Sequence, residues 1–359
     1  MSHPTTPFDP GTPLSQLIRL AIPLCREAQR RLPRPGPGRP DTFADWAIAV
    51  LVLIVVVKRR TTKDAQYRYL CEHRQGLVDG LGLPRFPARS TYFARYRRAH
   101  RLLKLALAVH AERAATRGRV DARCVAVDKT VVTARGPVWH HGQHAAGIRP
   151  RGVDVEATWT RTRCKGWVYG YGVEVVVSAA PTGPVWPLLG STDPAAWREV
   201  RTLPAKVPLL PRCTRYVLVD RGYDSDTLGD AVEWNSHHRR TGRRLVGPQQ
   251  VRHNARRPAK RAWRETRQRQ QKRWRRQRRR RFSKTNAGRA LYRRRGQTVE
   301  PFFDWFKAAF GLSQQAWHRG LDNNRTMVLA ALLAYQVMLR YNRLKRRKEG
   351  GIQWILDAV

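Results

Sequence analysis

CVAVDKTVV, residues 124–132, is the stretch on which the reading of the whole chain turns. Its β-branched and small apolar residues, bounded by charges, predict a strand. Asp128 stands inside it, and a lone acid in a core strand is unfavourable unless it is paired or binds a cation. Working outward, WVYGYGVEVVVSAA (167–180) predicts a second strand, PTGP (181–184) a turn and VWPLL (185–189) a third strand. Asp193-Pro194 predicts the opening of a short helix that runs to about Leu203. RYVLVD (215–220) predicts a fourth strand and RLV (244–246) a fifth. Three strands, two of them joined by a tight turn, then a helix, then a strand after a crossover describe a mixed α/β sheet. Asp220 closes the fourth strand, and the carboxyl end of a strand is where α/β sheets place ligand-binding groups.

A third acid stands out in TVEPFFDWFKAAFG (298–311). The segment predicts a helix capped by Thr298, with Pro301 in its first turn and Gly311 as its stop. Val299, Phe302, Phe303, Phe306 and Phe310 form the buried stripe. Glu300, Asp304 and Lys307 share another face, because residues at i, i+4 and i+7 align. Asp128, Asp220 and Glu300, if brought together, would hold two divalent ions about 4 Å apart. Oxygen ligands are what Mg²⁺ prefers. Blander readings stand beside this one. Asp128 could be a satisfied structural acid, Asp220 a strand-end cap, and Glu300 a charge favoured at a helix N-terminus. Asp304 is the rival for the third position.

Composition narrows the partner. The chain has 359 residues, with 70 Lys and Arg against 26 Asp and Glu, a net charge of +44 and a pI near 11.6. That excess excludes an ordinary metabolic enzyme as the default and points to a polyanion, nucleic acid first and membrane second. A hydrophobic share of 42% allows a sizeable core, and 12 Trp, 11 Tyr and 9 Phe argue against disorder. The five cysteines are widely spaced with no Cys-x-x-Cys, which excludes a zinc finger and argues against a disulfide framework. A reducing cytoplasm follows. Met1–Pro13 has no secretory-signal pattern. The longest apolar run, Trp46–Val57, is too short to span a bilayer and suits a buried helix or strand.

The expected organisation has four parts: a Pro-rich segment over 1–40 with a short helix at best, a helical DNA-binding region over 41–120, a catalytic domain over 121–346, and a tail over 347–359. In LPRFPARSTYFARYRRAHRLLKLAL (83–107), Ser90 or Thr91 is the candidate cap, and Tyr92, Tyr96, Ala99, Leu103 and Leu107 form one apolar stripe. Arg95, Arg97, Arg98 and Arg101 lie off that stripe, as on a helix-turn-helix recognition segment, with Arg95 and Arg98 the expected base contacts. An Arg-rich insertion covers 249–290. Between Arg252 and Arg295 there are 21 Lys or Arg and a single acid, Glu265. WRETRQRQQKRWRRQRRRRF (263–282) has no apolar face, so it is expected to lie on something or hang free, and Arg275, Arg276 and Arg279 are expected to clamp DNA phosphates. His140, His141 and His144 in HHGQH read as a solvated loop, because no partner Cys or acid has ligand spacing. Asp154, Glu156 and Glu174 read as surface or strand charges.

With these pieces placed, the sequence resembles a DDE transposase of a bacterial insertion sequence, the type whose catalytic domain has a ribonuclease-H-like fold. Asp128 in VAVDKTVV is similar to the family's first acid. Asp220 in VLVDRGYDS is similar to the second, where the family commonly shows Asp-x-Gly-Tyr-Asp. YRRRGQTVEPFFDWFK (292–307) resembles the Tyr, Arg, Glu, Lys signature through Tyr292, Arg295, Glu300 and Lys307, with Arg294 as the alternative arginine. Four residues separate Arg295 from Glu300, where the family usually has three. GWVYGYGVEVVVSA (166–179) also resembles the strand after the first acid. The resemblance implies an α/β, ribonuclease-H-like mixed sheet with flanking helices, preceded by a helix-turn-helix-like region. It implies two Mg²⁺ or Mn²⁺ ions at Asp128, Asp220 and Glu300. It also implies cleavage of insertion-sequence ends and joining of the freed 3′ hydroxyl to target DNA. Lys307 and Arg295 would hold phosphates, and Tyr292 would meet the DNA end. The implied partners are terminal inverted repeats, target DNA and a second copy of the chain in a nucleoid-associated, cytoplasmic synapse. The competing classes are a non-catalytic basic binder derived from such an enzyme and a ribonuclease-H-like nuclease without strand transfer.

Overall fold

A ten-residue strand, β1 (Cys124–Thr133), lies at the middle of the sheet and carries Asp128. The computed structural model describes residues 7–9, 11–33, 42–162, 164–235, 239–248, 267–348 and 350–359. The Pro-rich stretch 34–40, Asp41 and the first part of the Arg-rich insertion, 249–266, lie outside the described residues. Before β1 come α1 (Pro13–Arg31), α2 (Asp45–Val57), α3 (Lys63–Glu72), α4 (Arg74–Leu81), α5 (Arg89–Arg98) and α6 (His100–Thr116). After it come α7 (His141–Ala145), β2 (Thr158–Thr162), β3 (Gly166–Ser178), β4 (Pro187–Pro194), α8 (Glu199–Thr202), β5 (Tyr216–Leu218), α9 (Asp226–Glu233) and β6 (Arg244–Val246). The chain then runs through α10 (Arg267–Lys284), α11 (Asn286–Ala309), α12 (Leu321–Leu344) and α13 (Gln353–Ala358).

Among the described residues the strands form one mixed sheet in the order β2-β3-β1-β5-β6, with β4 also on β3. β1 runs antiparallel to β3, setting Asp128 opposite Val175, and parallel to β5, setting Ala126 opposite Leu218. β5 and β6 are parallel. The mixed α/β reading therefore holds. β2 was not expected: TWTRT is a half-buried, largely polar strand that owes its place to its pairing with β3. The short helix expected from Asp193-Pro194 to about Leu203 starts later, as α8 at Glu199, because the β3 ladder continues to Tyr171 opposite Pro194. A proline can end a strand without losing a ladder bond that its neighbours need.

The helices differ from expectation at two points. Residues 1–40 hold more than a short helix: α1 has 19 residues, capped by the Thr12 side chain, and buries Leu14, Leu17, Ile18, Ala21, Leu24, Cys25 and Ala28. Those positions repeat at helical spacing, so the signal was present, and Pro23 inside the helix masked it. The run ending at Val57 is a helix, and Ala47 through Val57 are all buried between neighbouring helices. Among the described residues no helix is long and apolar enough to cross a membrane. Thr298 is not a cap. α11 starts at Asn286 behind the Thr285 cap and runs through Pro301, while the Thr298 hydroxyl donates back to the Arg294 carbonyl at 2.8 Å.

One hydrophobic core runs through the described residues, from α1 and α2 to the sheet and α12. The expected stripe of Tyr92, Tyr96, Ala99, Leu103 and Leu107 is buried in it, and the Thr326 hydroxyl of α12 donates to the Tyr96 carbonyl at 2.8 Å. The N-terminal helices are thus packed into the same body as the sheet. The other face of the sheet carries a charge that the sequence reading treated as a surface or strand charge. Glu174, directly opposite Lys129 in register, is 1% exposed. It accepts from Lys206 Nζ at 2.5 Å, Thr202 Oγ1 at 2.7 Å and the Tyr223 hydroxyl at 3.0 Å. An ionised carboxylate is tolerated there because every partner is a donor. Asp154 is buried too, accepting from the Tyr171 hydroxyl at 2.7 Å and the Gly320 amide at 3.0 Å.

Removing one member of the Glu174–Lys206 pair should leave a buried charge without its counter-charge. Lys206→Met is expected to lower unfolding free energy by about 3–5 kcal/mol, and Glu174→Gln combined with Lys206→Met by clearly less. Urea unfolding of the two variants measures this; equal losses would show that the pair is not coupled.

Candidate active site

Asp128 enters the site from β1 with its carboxylate 2.7 Å from Arg295 Nη2 and with the Lys129 amide donating to it at 2.8 Å. Burial pushes its pKa up from 3.8 to about 6, Arg295 and the Lys129 amide pull it down, and the Asp220 charge adds to the rise. Asp220 follows β5, just inside the 3-10 turn Arg221–Tyr223, and accepts the Gly222 amide at 2.7 Å. Glu300 comes from α11 and lies 3.7 Å from Arg295 Nη1. Its side chain is 64% exposed against 19% for Asp128, so it stands at the open rim. Glu300 sits deep within the 24-residue α11, so a helix-terminus charge does not explain it.

The charges of these groups all reach Tyr292. Burial raises its pKa, Arg295 opposes, and the charges of Asp220, Asp128 and Glu300 all push it higher. Three carboxylates from β1, the end of β5 and α11 therefore share one electrostatic neighbourhood with Tyr292 and Arg295. Arg295, rather than Arg294, reaches the acids. It was expected on a phosphate, yet it is buried and joined to Asp128. Lys307 lies further along α11, 3.8 Å from Asp304, whose side chain is 83% exposed.

The turn after Asp220 is held from below. Tyr223 is fully buried and its hydroxyl reaches Glu174, which fixes the turn against β3. Gly222 keeps the turn close to both acids: a Cβ there would make a tight 3.1 Å contact with Asp220 Oδ1 and an ordinary 3.5 Å contact with Glu199 Oε2. Glu199 is thus a further acid beside the site, 3.9 Å from Lys129 Nζ, which itself donates to the Ala195 carbonyl at 2.9 Å. The sequence reading missed Glu199 and the role of Glu174. Glu174 carried a legible signal, an acid within VEVVV, the same signal that singled out Asp128.

The donor set suits a hard divalent cation in kind, because carboxylate oxygens are its preferred ligands. Burial is the main cause of the raised Asp128 pKa, and the Arg295 guanidinium opposes it. Among the described residues no group of three or more His, Cys, Asp or Glu is gathered closely enough to hold a metal ion. His140, His141 and His144 are exposed on and beside α7, with His141 stacked on Trp159 at 5.7 Å and His144 against Trp139 at 4.5 Å.

The arginines expected to meet DNA fall into two sets. Arg95 is buried and donates to the Phe43 carbonyl at 2.8 Å and to Asp45 at 2.6 Å, whereas Arg97, Arg98 and Arg101 are exposed. The same sorting occurs on α10, which does not hang free. Arg275 and Arg279 are buried, and Arg276 is half-buried. They pair with acids around and along α9: Arg275 with Asp230 at 3.2 Å, Arg276 with Asp224 at 3.2 Å and Arg279 with Asp226 at 2.9 Å. Positions 275, 276 and 279 lie on one helical face. Gly229 of α9 makes room for the Arg279 guanidinium, which a Cβ there would strike. Phe282 stacks on Tyr216, and Arg275 lies 4.0 Å over the Trp234 ring. Lys272, Arg280 and Arg281 remain exposed on the outer side.

The family described as Transposase DDE domain matches residues 120–337, a span that contains Asp128, Asp220, Arg295, Glu300 and Lys307. No curated protein matches the chain. Among solved structures, a piggyBac transposase synaptic complex with hairpin DNA is similar at 11% identity and a TM-score of 0.43, covering 97% of this chain and 79% of that one.

Two measurements check this geometry. Asp128 has a folded pKa above its unfolded value, so its ionisation costs stability that is absent below about pH 4 and complete above about 6. In chelator, Asp128→Asn should therefore raise stability by on the order of 1–3 kcal/mol above pH 6, with the gain vanishing toward pH 4. A gain that grows toward low pH would contradict the assignment. For α10, Arg275→Gln with Arg279→Gln should cost at least about 2 kcal/mol of unfolding free energy, while Arg280→Gln with Arg281→Gln should stay within about 0.5 kcal/mol. Denaturant unfolding separates the two, and a reversed order would mean that the α9 acids do not hold this helix.

Proposed function

Because this chain belongs to the transposase DDE domain family, we propose that it cuts the ends of an insertion sequence and joins them to target DNA. The observation that carries the reading is the meeting of Asp128 and Glu300 on Arg295, with the Asp220 charge reaching Asp128. A ribonuclease-H-like sheet is the fold on which these acids are read, and the order of strands and the mixed pairing support it. Asp128, Asp220 and Glu300 would hold two Mg²⁺ or Mn²⁺ ions. When bound, such ions lower the barrier to in-line attack by activating the attacking oxygen and stabilising the departing 3′ oxygen.

The chain's own residues do the rest. Tyr223, Glu174 and Lys206 hold the turn that aims Asp220. Arg295 bridges the Asp128 and Glu300 carboxylates before substrate arrives, and so acts on the acids rather than on phosphate. Lys307, two turns along the same face of α11 as Glu300, neutralises a backbone phosphate. Tyr292 meets the DNA end beside a cavity of ≈ 290 Å³ that it lines with Val246, Gly247, Pro248 and Arg293. The exposed arginines of α5 and α6, Arg97, Arg98 and Arg101, and the outer side of α10 supply further phosphate contacts. Arg98 takes over the base-reading role expected of Arg95 and Arg98 together. Two copies acting on two ends would form the synapse.

Asp128→Ala, Asp220→Ala and Glu300→Ala should each abolish cleavage of end DNA in Mg²⁺ while leaving end binding within a few fold, because the acids are not duplex contacts. Asp304→Ala, one turn beyond Glu300, should cut at near the parent rate. A gel assay of strand cleavage with a parallel binding titration reads both. Cleavage lost in Asp304→Ala but kept in Glu300→Ala would move the third acid; cleavage kept in all four variants would remove the enzyme reading.

A further inference from the structure

Away from the acids, α6, the loop after it and α12 converge on a cavity of ≈ 200 Å³ lined by Arg113, Arg117, Arg119, Arg340, Arg343 and Trp186. Among the described residues few acids meet Arg113, Arg117, Arg119 and Arg340. Glu27 pairs with Arg113 and also with Arg30 and Arg31. Among the described residues no acid pairs with Arg117, Arg119 or Arg340. Arg343 donates to the Arg119 carbonyl at 2.9 Å, which fixes the loop without adding a counter-charge. Burial and the charges of Arg119, Arg117 and Arg113 all lower the Arg340 pKa, so the guanidinium is crowded by like charge. His110, also on the wall, cannot add to the repulsion, since burial and Arg340 push its pKa down to about 3 and keep it neutral. Its Nδ1 is engaged with Gln336 Oε1 at 3.0 Å.

Two lining residues also carry buried N–H donors without a partner among the described residues: Trp186 Nε1 and Arg340 Nε. Trp186 is 2% exposed. A buried donor left unmade costs on the order of 1–3 kcal/mol, and both donors belong to residues of the cavity wall. Water can offer the cavity guanidinium groups acceptors, but it cannot offset their charge. An oxyanion does both, and guanidinium groups match its geometry through paired N–H bonds. Solvated arginines at a helix C-terminus are the ordinary alternative, and the convergence of Arg113, Arg117, Arg119 and Arg340 on one concave wall is what that alternative leaves unexplained.

We propose that this cavity is a second anion site, separate from the acids, that takes a phosphate group. The phosphate comes either from a free polyphosphate or from a DNA backbone, and the chemistry of recognition is the same. The full chain tests it in two arms. In the first, tripolyphosphate is titrated at constant ionic strength by calorimetry and by thermal shift. In the second, duplex binding is followed against salt concentration. The variants are Arg117→Gln with Arg340→Gln, and Arg117→Gln with Arg119→Gln, the latter leaving Arg340 in place so that folding is not at issue. Arg149→Gln with Arg151→Gln is the charge-matched control.

Either cavity variant should weaken tripolyphosphate at least tenfold, with the control within twofold, if a free anion is the ligand. If a DNA phosphate is the ligand, the slope of log K against log salt should fall by roughly 0.9 per lost contact in the cavity variants and exceed the change in the control. A change in either arm supports the site and names its source. Parent, control and cavity variants that agree in both arms overturn it.

Discussion

A carboxylate in the middle of a central strand has to be answered by positive charge, and Arg295 answers Asp128 at 2.7 Å. Much of the architecture around the acids follows from that need. The arginine comes from α11, so α11 must cross the face of the sheet to which Asp128 points. Once there, its next turn delivers Glu300 to the same guanidinium. The helix is continuous through Pro301, which lets one rigid element carry Tyr292, Arg295, Glu300 and Lys307 in fixed relation. Rigid placement of this kind is what a site needs if its groups are to act together.

The opposite face repeats the solution with the roles exchanged. Glu174 on β3 is answered by Lys206, and the Tyr223 hydroxyl completes the set. The two faces are connected through the short turn Arg221–Tyr223, which holds Asp220 on one side and is anchored to Glu174 on the other. A buried ion pair contributes little net stability compared with apolar packing. Its use here is positional: it settles where a three-residue turn lies, and so where a carboxylate lies.

The large basic excess is divided between two tasks. Arg95, Arg275 and Arg279 are turned inward and ion-paired, where they join α5 to the start of α2 and α10 to α9. Arg97, Arg98, Arg101, Arg280 and Arg281 face outward. The wall built by Arg117, Arg119 and Arg340 belongs to neither set, being concave and short of acids. Net charge alone cannot distinguish these cases, because it counts side chains without their neighbours.

Local pattern was enough to reveal the strands β1, β3, β5 and β6 and the mixed sheet, and to single out Asp128, Asp220 and Glu300 as candidates, because alternation, turn residues and an acid in an apolar run are all properties of neighbours in the chain. The apolar spacing of α1 was equally legible, though Pro23 hid it. The rest depended on residues far apart in sequence. That Arg295 and not Arg294 meets Asp128 is decided by which side of α11 faces β1. Arg279 lies against α9 because Asp226 and Asp230 stand on the facing helix with Gly229 between them. Thr298 lies mid-helix because Thr285 caps the chain earlier. Glu199 comes to the site through the packing of α8 on the turn after Asp220. Periodicity shows which face of an element is buried, whereas the partner that a buried charge finds is set by tertiary packing, since the free energy of pairing depends on distance and burial that no single segment contains.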